Sequence, residues 1–217
     1  MCFTIRATRL PPALSLGLLF AFSLFGFLLC VRLLYASGFD HVVEYDNGGI
    51  WKRSNQQGLY YGLIGGEIAG GLWFGGEDRL GKTFWQAIDS SALGGVANEA
   101  MKRIFTRSRP AQSPDPHLWF QGAGHYSFPS GEVTAVTAIV TPFVLEYGRE
   151  HPAVYVLELL PAYDAIARVK AHAHWQTDVL ASFALGSATG YLAHSRDSPV
   201  ILGVLPHGFT IGLRKQF

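Results

Sequence analysis

Cysteine is nearly absent from this chain, since only Cys2 and Cys30 occur among 217 residues. Because both precede the body of the protein, we expect that body to hold neither a disulfide framework nor a thiolate metal site. Charged residues are also scarce, at 15% of the chain, against about 25% in an average soluble protein. The net charge of +1 lacks the strong basic excess of nucleic-acid-binding proteins, which excludes a nucleic-acid partner.

A long apolar run near the N-terminus predicts attachment to a membrane. Leu10–Val31 is 22 residues without a charge, preceded by Arg6 and Arg9 and followed by Arg32. A helix of this length spans the ~30 Å hydrocarbon core, whereas a cleavable signal peptide usually has a shorter apolar region. We therefore predict an uncleaved signal-anchor over 1–37, with a cleaved signal peptide as the alternative. The preceding arginines favour the cytoplasm, so the rest of the chain is expected on the outer side of the cytoplasmic membrane.

The body, residues 38–197, has the pattern of a helical bundle. No uncharged stretch beyond residue 38 reaches 18 residues, so the body need not cross the membrane again. Strand patterns are almost absent, and we predict an all-α fold with helices at 82–108, 131–146, 153–170 and 177–194. A stripe of glycines four residues apart predicts close helix packing; it comprises Gly58, Gly62, Gly66 and Gly70. Residues 198–217 alternate apolar and polar side chains and are predicted to form a short, strand-like tail.

Three separate segments could each bind a phosphate group. In the first, Lys102 and Arg109 lie seven residues apart, which places both on one face of a helix. Pro110 disfavours helical geometry at Arg109 and is expected to end the helix there. Taken alone, these residues are better explained as cations favourably placed near a helix C-terminus.

The second segment, Pro129-Ser130-Gly131, precedes an apolar helical run. Ser130 is predicted as the N-cap residue, and Gly131 lets the backbone approach an anion closely. The free N–H groups of a helix N-terminus form an anion site. An ordinary capped helix is the alternative.

The third segment contains Arg168, His174 and Asp178. Histidine and aspartate are four residues apart, so one helical turn could bring the carboxylate to the imidazole and fix its tautomer. The other ring nitrogen would then be free to attack phosphorus. Arg168 is out of phase with His174 on a continuous helix, so we predict a break near residues 171–173. The neighbouring His172 is interpreted as structural.

These three segments resemble the type 2 phosphatidic acid phosphatase superfamily, whose pattern is Lys-x6-Arg-Pro, Pro-Ser-Gly-His and Ser-Arg-x5-His-x3-Asp. The resemblance covers Lys102 to Asp178. It implies that phosphate is bound by Lys102, Arg109, Ser130, Gly131 and Arg168. It also implies that His174 is the nucleophile, oriented by Asp178.

Two positions depart from the family pattern. Ala167 replaces a serine, which removes one hydrogen bond. Glu132 replaces the histidine that protonates the leaving group in the family, and is the candidate acid here. Nearby cations would lower the pKa of Glu132 and weaken it as an acid. His125 is the next candidate for that role.

The function expected from these residues is that of a metal-independent phosphatase without a cofactor, acting on a phosphomonoester or diphosphate through a phosphohistidine. The expected substrate is a membrane lipid, of the phosphatidic acid or isoprenoid diphosphate type. A periplasmic acid phosphatase with a soluble phosphate ester as substrate is the first alternative. A vanadate-dependent haloperoxidase and an inactive anion-binding protein are the others. The residues leave the oligomeric state open.

Overall fold

The computed structural model describes residues 38–196 and, as backbone, residues 201–205 and 208–211. The predicted anchor, Leu10–Val31, lies outside the described residues. The chain forms two compact units, Met1–Asp40 and His41–Phe217, and the domain boundaries at residues 37 and 197 remain predictions. Within the described part of the chain, no helix is both long and apolar enough to cross a membrane.

Five α-helices form the body, and the all-α prediction is confirmed for residues 38–196. They are α1 (Arg53–Phe74), α2 (Arg79–Phe105), α3 (Gly131–Tyr147), α4 (Leu159–Lys170) and α5 (Gln176–His194). Short 3₁₀ helices at Gly49–Trp51 and Pro152–Glu158 precede α1 and α4. The helix predicted over 153–170 therefore divides into a 3₁₀ segment and α4. The predicted break at residues 171–173 is present as a turn.

Helix α2 begins and ends three residues before the predicted bounds. It begins after Asp78, whose carboxylate accepts the Gly81 N–H at 2.6 Å and so caps the helix. It ends because Thr106 takes a left-handed conformation with φ of 33°. Arg109 therefore lies in the following loop, and Pro110 is not what ends the helix.

Contacts between neighbouring helices show in which directions α1, α2, α3 and α5 run. The Asn98 amide donates to the Thr134 hydroxyl at 3.0 Å, in a pairing of antiparallel helices α2 and α3. Helices α3 and α5 are parallel: the Ser130 N–H donates to the Ser182 hydroxyl at 2.7 Å, and Gly186 packs against Thr137 further along. Helix α1 also starts beside α3, where Arg53 contacts Glu132. The N-termini of α1, α3 and α5 therefore meet at one end of the bundle.

Small side chains let α3 and α5 approach closely. A Cβ on Gly186 would lie 2.6 Å from the Thr134 carbonyl oxygen, and one on Gly190 would lie 2.5 Å from the Cβ of Thr141. The hydroxyls of Thr134, Thr137 and Thr141 donate to carbonyls one turn earlier in α3. This interface therefore satisfies its polar groups locally while keeping the helix backbones close.

The glycine stripe on α1 agrees only in part with the predicted close packing. A Cβ on Gly70 would lie 2.4 Å from the Phe84 ring, so this glycine does allow close packing. Cβ atoms on Gly58, Gly62 and Gly66 would meet nothing within 4 Å. Among the described residues, nothing would contact a side chain at these three positions, so the packing interpretation is wrong for them in this part of the chain.

The C-terminal tail contains two strands where the sequence predicted one. Strands β1 (Ile201–Leu205) and β2 (Gly208–Ile211) pair in antiparallel fashion, with Ile201 opposite Ile211 and an irregularity between Leu202 and Val204. The strand-like tail is thus a hairpin. The alternation of β2 was visible in the sequence, whereas Gly203 and the flanking prolines obscured β1.

Gly186→Ala should lower the free energy of unfolding by about 1–3 kcal/mol, because the added methyl group meets backbone atoms of α3. Gly65→Ala is the matched control, since its Cβ would meet nothing within 4 Å. Because alanine is the better helix former, this control should gain up to about 1 kcal/mol. Chemical denaturation of both variants measures the difference, and equal stabilities would contradict the close packing of α3 and α5.

Candidate active site

Lys102 and Arg109 converge on one carbonyl at the end of the bundle where α3 and α5 begin. The Lys102 ammonium donates to the Tyr126 carbonyl at 2.9 Å, and the Arg109 guanidinium donates to the same oxygen at 3.4 Å. Burial, together with Arg109, lowers the pKa of Lys102 to about 8. The two cations predicted to act together are therefore adjacent, although Arg109 reaches the site from a loop.

Arg168 joins this group from the last turn of α4. Its guanidinium donates to the Gln56 side chain at 3.2 Å, while its Nε is buried without a hydrogen-bond partner among the described residues. Burial lowers the pKa of Arg168 and that of Arg109. The positive charge of Arg53 lowers both pKa values further. The site therefore gathers three cations with few anions to balance them.

The turn after α4 brings His174 to the same place. His172 takes a left-handed conformation with φ of 52°, and its Nε2 donates to the Val43 carbonyl at 2.7 Å. The reversal of the chain places Arg168 and His174 on the same cluster, as predicted. The contact of His172 with Val43 agrees with a structural interpretation of this residue.

Ser130 occupies the N-cap position of α3, as predicted, but its side chain does not cap the helix. The Ser130 hydroxyl oxygen is buried and has no hydrogen-bond partner in the part of the chain described. At Gly131, an added Cβ would lie 3.4 Å from the Asn98 amide oxygen and 3.9 Å from Cε of Lys102. The start of α3 thus presents an unpaired hydroxyl and an open backbone beside a cation, as an anion site requires.

His174 is held in one tautomer by a main-chain carbonyl. Its Nδ1 lies 2.6 Å from the Ser127 carbonyl oxygen. Because a carbonyl can only accept, Nδ1 must carry the proton, and Nε2 of the neutral ring holds the lone pair. Burial lowers the pKa of His174 to about 3, and the charges of Lys102 and Arg168 act in the same direction.

Asp178 lies near His174 without forming the predicted hydrogen bond to it. Its closer oxygen is 3.7 Å from Nδ1, whereas the Ser127 hydroxyl and the Trp175 N–H donate to it at 2.5 and 2.9 Å. The other oxygen accepts from Arg107 at 2.5 Å. Burial alone would raise the pKa of Asp178, but His174 and Arg107 hold it below its ordinary value. The carboxylate is thus ionised, and Ser127 rather than Asp178 sets the imidazole tautomer.

Glu132 is engaged in an ion pair that the sequence did not predict. Both of its oxygens accept from the Arg53 guanidinium, at 2.5 and 2.6 Å. Burial would raise the pKa of Glu132, but Arg53 and Arg168 lower it below its ordinary value. The expected lowering is therefore present, and Arg53 is its main cause. A side chain held in this way is a poor proton donor near neutral pH.

Asp164 adds an unusual buried carboxyl behind the site. It lies one helical turn before Arg168, is fully buried, and neither side-chain oxygen has a hydrogen-bond partner among the described residues. Burial, reinforced by Glu132, raises the pKa of Asp164 to about 7. Glu132 is therefore ionised near neutral pH, whereas Asp164 readily takes up a proton.

Four residues of the cluster were missed by the sequence analysis: Gln56, Arg53, Arg107 and Ser127. The first two precede every recognised motif, and Arg107 lies between Lys102 and Arg109 with only 1% of its side chain exposed. In the described residues, no three His, Cys, Asp or Glu side chains are grouped so as to hold a metal ion. Independence from metal remains a prediction.

Two known proteins are similar to parts of this chain. Lipid A 1-phosphatase of Porphyromonas gingivalis is 33% identical over 109 residues, which cover 50% of this chain and 22% of that protein. The chain thus spans about a fifth of that relative's length. The crystal structure of Aquifex aeolicus LpxE aligns with a TM-score of 0.47 and 24% identity, over 64% of this chain and 82% of that one.

The family model described as the PAP2 superfamily matches residues 83–198. This range runs from α2 to the end of α5 and contains Lys102, Arg109, Ser130, Arg168 and His174. It covers more than half of the chain. The chain therefore belongs to the PAP2 superfamily, the type 2 phosphatidic acid phosphatases and their relatives.

Proposed function

We propose that this protein is a phosphatase that transfers a phosphoryl group to His174 and then to water. The observation that carries the proposal is the state of His174, a buried neutral imidazole whose Nε2 holds a lone pair. The charges of Lys102 and Arg168 act on this ring, and Arg109 shares the Tyr126 carbonyl with Lys102. A neutral nucleophile among fixed cations suits attack on an anionic phosphate ester.

In the first step, the Nε2 lone pair attacks phosphorus and the bond from phosphorus to the leaving oxygen breaks. The ring gains positive charge as the new nitrogen–phosphorus bond forms. The Asp178 carboxylate, 3.7 Å from Nδ1, stabilises that charge without removing the proton. Lys102, Arg109, Arg168 and the start of α3 stabilise the charge on the phosphoryl oxygens.

In the second step, water attacks phosphorus and the nitrogen–phosphorus bond breaks, which restores the lone pair on Nε2. Inorganic phosphate is the product. The proton released by the attacking water returns to the group that protonated the leaving oxygen. The cycle balances without a metal ion.

The group that protonates the leaving oxygen is proposed to be His125. It lies next to Tyr126, whose carbonyl binds Lys102 and Arg109, and its Nδ1 pairs with the Ser108 hydroxyl at 2.9 Å. Glu132 is proposed instead to hold Arg53 against the phosphate site, because both of its oxygens are occupied by that guanidinium.

The substrate is proposed to be a phosphorylated lipid at the outer face of the cytoplasmic membrane. Two observations support this: the predicted anchor at Leu10–Val31, and the relative that is named a lipid A 1-phosphatase. Phosphate release from lipid monophosphates, isoprenoid diphosphates and a soluble aryl phosphate, in excess chelator, tests both substrate and metal independence. Vanadate should inhibit this activity; a vanadate-dependent oxidation of bromide by added hydrogen peroxide would instead indicate a haloperoxidase.

His174→Ala should lower kcat by more than about 10³-fold, because no other group can form the covalent intermediate. Calorimetry should show a much smaller loss of phosphate affinity, since the three cations remain. His172→Asn is the control, because asparagine tolerates the left-handed backbone at that position. Mass spectrometry after a non-acidic quench should find phosphate on the peptide that contains His174. Activity that survives in His174→Ala would remove this residue as the nucleophile.

Inhibition by inorganic phosphate should weaken above about pH 8. The pKa of Lys102 is lowered to about 8, so the free enzyme loses this positive charge as the pH rises through that value. The inhibition constant should increase by up to about tenfold per pH unit above it. Lys102→Arg should remove this pH dependence, because arginine keeps its proton. An unchanged profile in Lys102→Arg would show that another group titrates.

His125→Ala should slow the hydrolysis of an alkyl monophosphate by about 10²–10⁴-fold, because an alkoxide needs protonation as it leaves. A diphosphate, whose leaving group is stable as an anion, should be slowed much less. Glu132→Gln should slow both substrates by the same factor, since it loosens Arg53 without removing an acid. Steady-state kinetics on the two substrates measure this, and selective loss of the monophosphate in Glu132→Gln would restore Glu132 as the acid.

A further inference from the structure

An apolar cavity of about 300 Å³ lies between α1, α3 and the segment that leads into α4. This volume is at the lower limit of ordinary small-molecule sites. Its lining is almost entirely apolar and includes Gly62, Gly66, Ile139, Phe143, Leu157 and Leu160. Glu67 is the one ionisable residue among the side chains that line it.

The cavity is lined by residues of the same three helices that carry Arg53, Glu132 and Arg168 of the candidate active site. On α1 the cavity residue Gly62 follows Arg53 by nine residues, and on α3 Ile139 follows Glu132 by seven. On α4, Leu160 precedes Arg168 by eight residues. At 1.5 Å per residue, the cavity lies about 10–14 Å from this group of charges. A group joined to a bound phosphate could therefore extend along the helices into the cavity.

The cavity is open because two glycines lack side chains. Cβ atoms on Gly62 and Gly66 would meet nothing within 4 Å, whereas one on Gly70 would collide with Phe84. A glycine inside a helix costs roughly 0.5–1 kcal/mol relative to alanine. At Gly70 close packing offsets that cost, but within the described structure nothing packs against Gly62 or Gly66. Both glycines line the cavity and are themselves exposed, so a side chain at either position would occupy space that is now open to solvent.

Glu67 provides a second, independent indication of a ligand. It is 4% exposed; one carboxyl oxygen accepts from the Ser91 hydroxyl at 2.8 Å, and the other has no partner among the described residues. Burial raises the pKa of Glu67 to about 7. A buried carboxyl oxygen without a partner is costly, and hydrocarbon alone would not satisfy it.

We propose that the cavity binds the hydrocarbon chain of the phosphorylated substrate, and that the Glu67 carboxyl forms a hydrogen bond with a hydroxyl group carried on that chain. This rests on the proposed phosphatase function and narrows its substrate class to phosphate esters with a hydroxylated hydrocarbon chain. The apolar lining buries the methylene groups, and the carboxyl selects the position of the hydroxyl.

The first experiment measures kcat/KM for linear alkyl phosphates of increasing length, each normalised to a soluble aryl phosphate hydrolysed by the same preparation of the full chain in detergent. The ratio should rise by about fourfold per methylene group until the cavity is filled. Gly66→Leu should flatten this rise, because leucine occupies the empty space. Gly62→Leu is a second variant with the same expectation.

Gly65→Leu is the matched control for both variants. Gly65 is also within α1, its Cβ would meet nothing within 4 Å, and it does not line the cavity. Its chain-length profile should match that of the unmodified protein. Leucine is the better helix former at all three positions, so the helix itself should persist.

The second experiment compares alkyl phosphates that carry one hydroxyl at successive positions with the unsubstituted chain of equal length. One position should raise kcat/KM by about fivefold or more, as expected for a buried hydrogen bond. Glu67→Leu should abolish this preference, and Glu67→Gln, which still accepts a hydrogen bond, should retain most of it.

The outcomes separate this inference from the function on which it rests. Hydrolysis that does not depend on chain length would contradict binding of the hydrocarbon chain in the cavity, and so would a chain-length profile flattened equally in Gly65→Leu and Gly66→Leu. Either result would leave the proposed phosphatase function standing. A hydroxyl preference absent from the unmodified protein, or unchanged in Glu67→Leu, overturns the role of Glu67. Failure to hydrolyse even the aryl phosphate overturns the proposed function and the inference together.

Discussion

A buried ion pair between Arg107 and Asp178 joins the loop after α2 to the first turn of α5. Both side chains are almost inaccessible, at 1% and 0% exposure, and removing two charges from water costs several kcal/mol per ion unless each is fully engaged. Each is engaged here. Arg107 also donates to the Pro116 carbonyl and lies over the Trp119 ring. Asp178 accepts a hydrogen bond from the Ser127 hydroxyl. The ion pair therefore also positions Ser127, whose carbonyl determines the tautomer of His174.

The opposite situation holds a few ångströms away, where the cations are left incompletely paired. Lys102 and Arg109 share one main-chain oxygen. The Nε of Arg168 and the hydroxyl of Ser130 have no partner in the described structure. Buried polar groups are normally satisfied, and under the proposed function a bound phosphate would pair with these donors. The fully paired Arg107 and Asp178 thus lie beside a group of donors that, under the proposed function, would bind phosphate.

The sequence predicted the helices and the convergence of three motifs, because helical periodicity and motif spacing are local properties. It could not predict Arg53 or Gln56, which precede the motifs and reach the site only through the packing of α1 against α3 and α4. Arg107 was missed for a related reason: the left-handed Thr106 ends α2 before Arg107, whose side chain is buried. The glycine stripe failed in the same way, since spacing shows that a helix could approach but not whether one does.

The parallel arrangement of α3 and α5 has a consequence for how such an enzyme handles its product. Two helices that start side by side and run in one direction repel each other at their starting ends, because their dipoles are aligned. Near these ends, the Ser130 N–H donates to the Ser182 hydroxyl at 2.7 Å and links the two helices. Under the proposed function, inorganic phosphate at the start of α3 would relieve this repulsion, because its negative charge attracts the positive ends of both helices. The protein would then be least stable at the moment its product departs, and retention of product would be inherent in the architecture that binds the substrate.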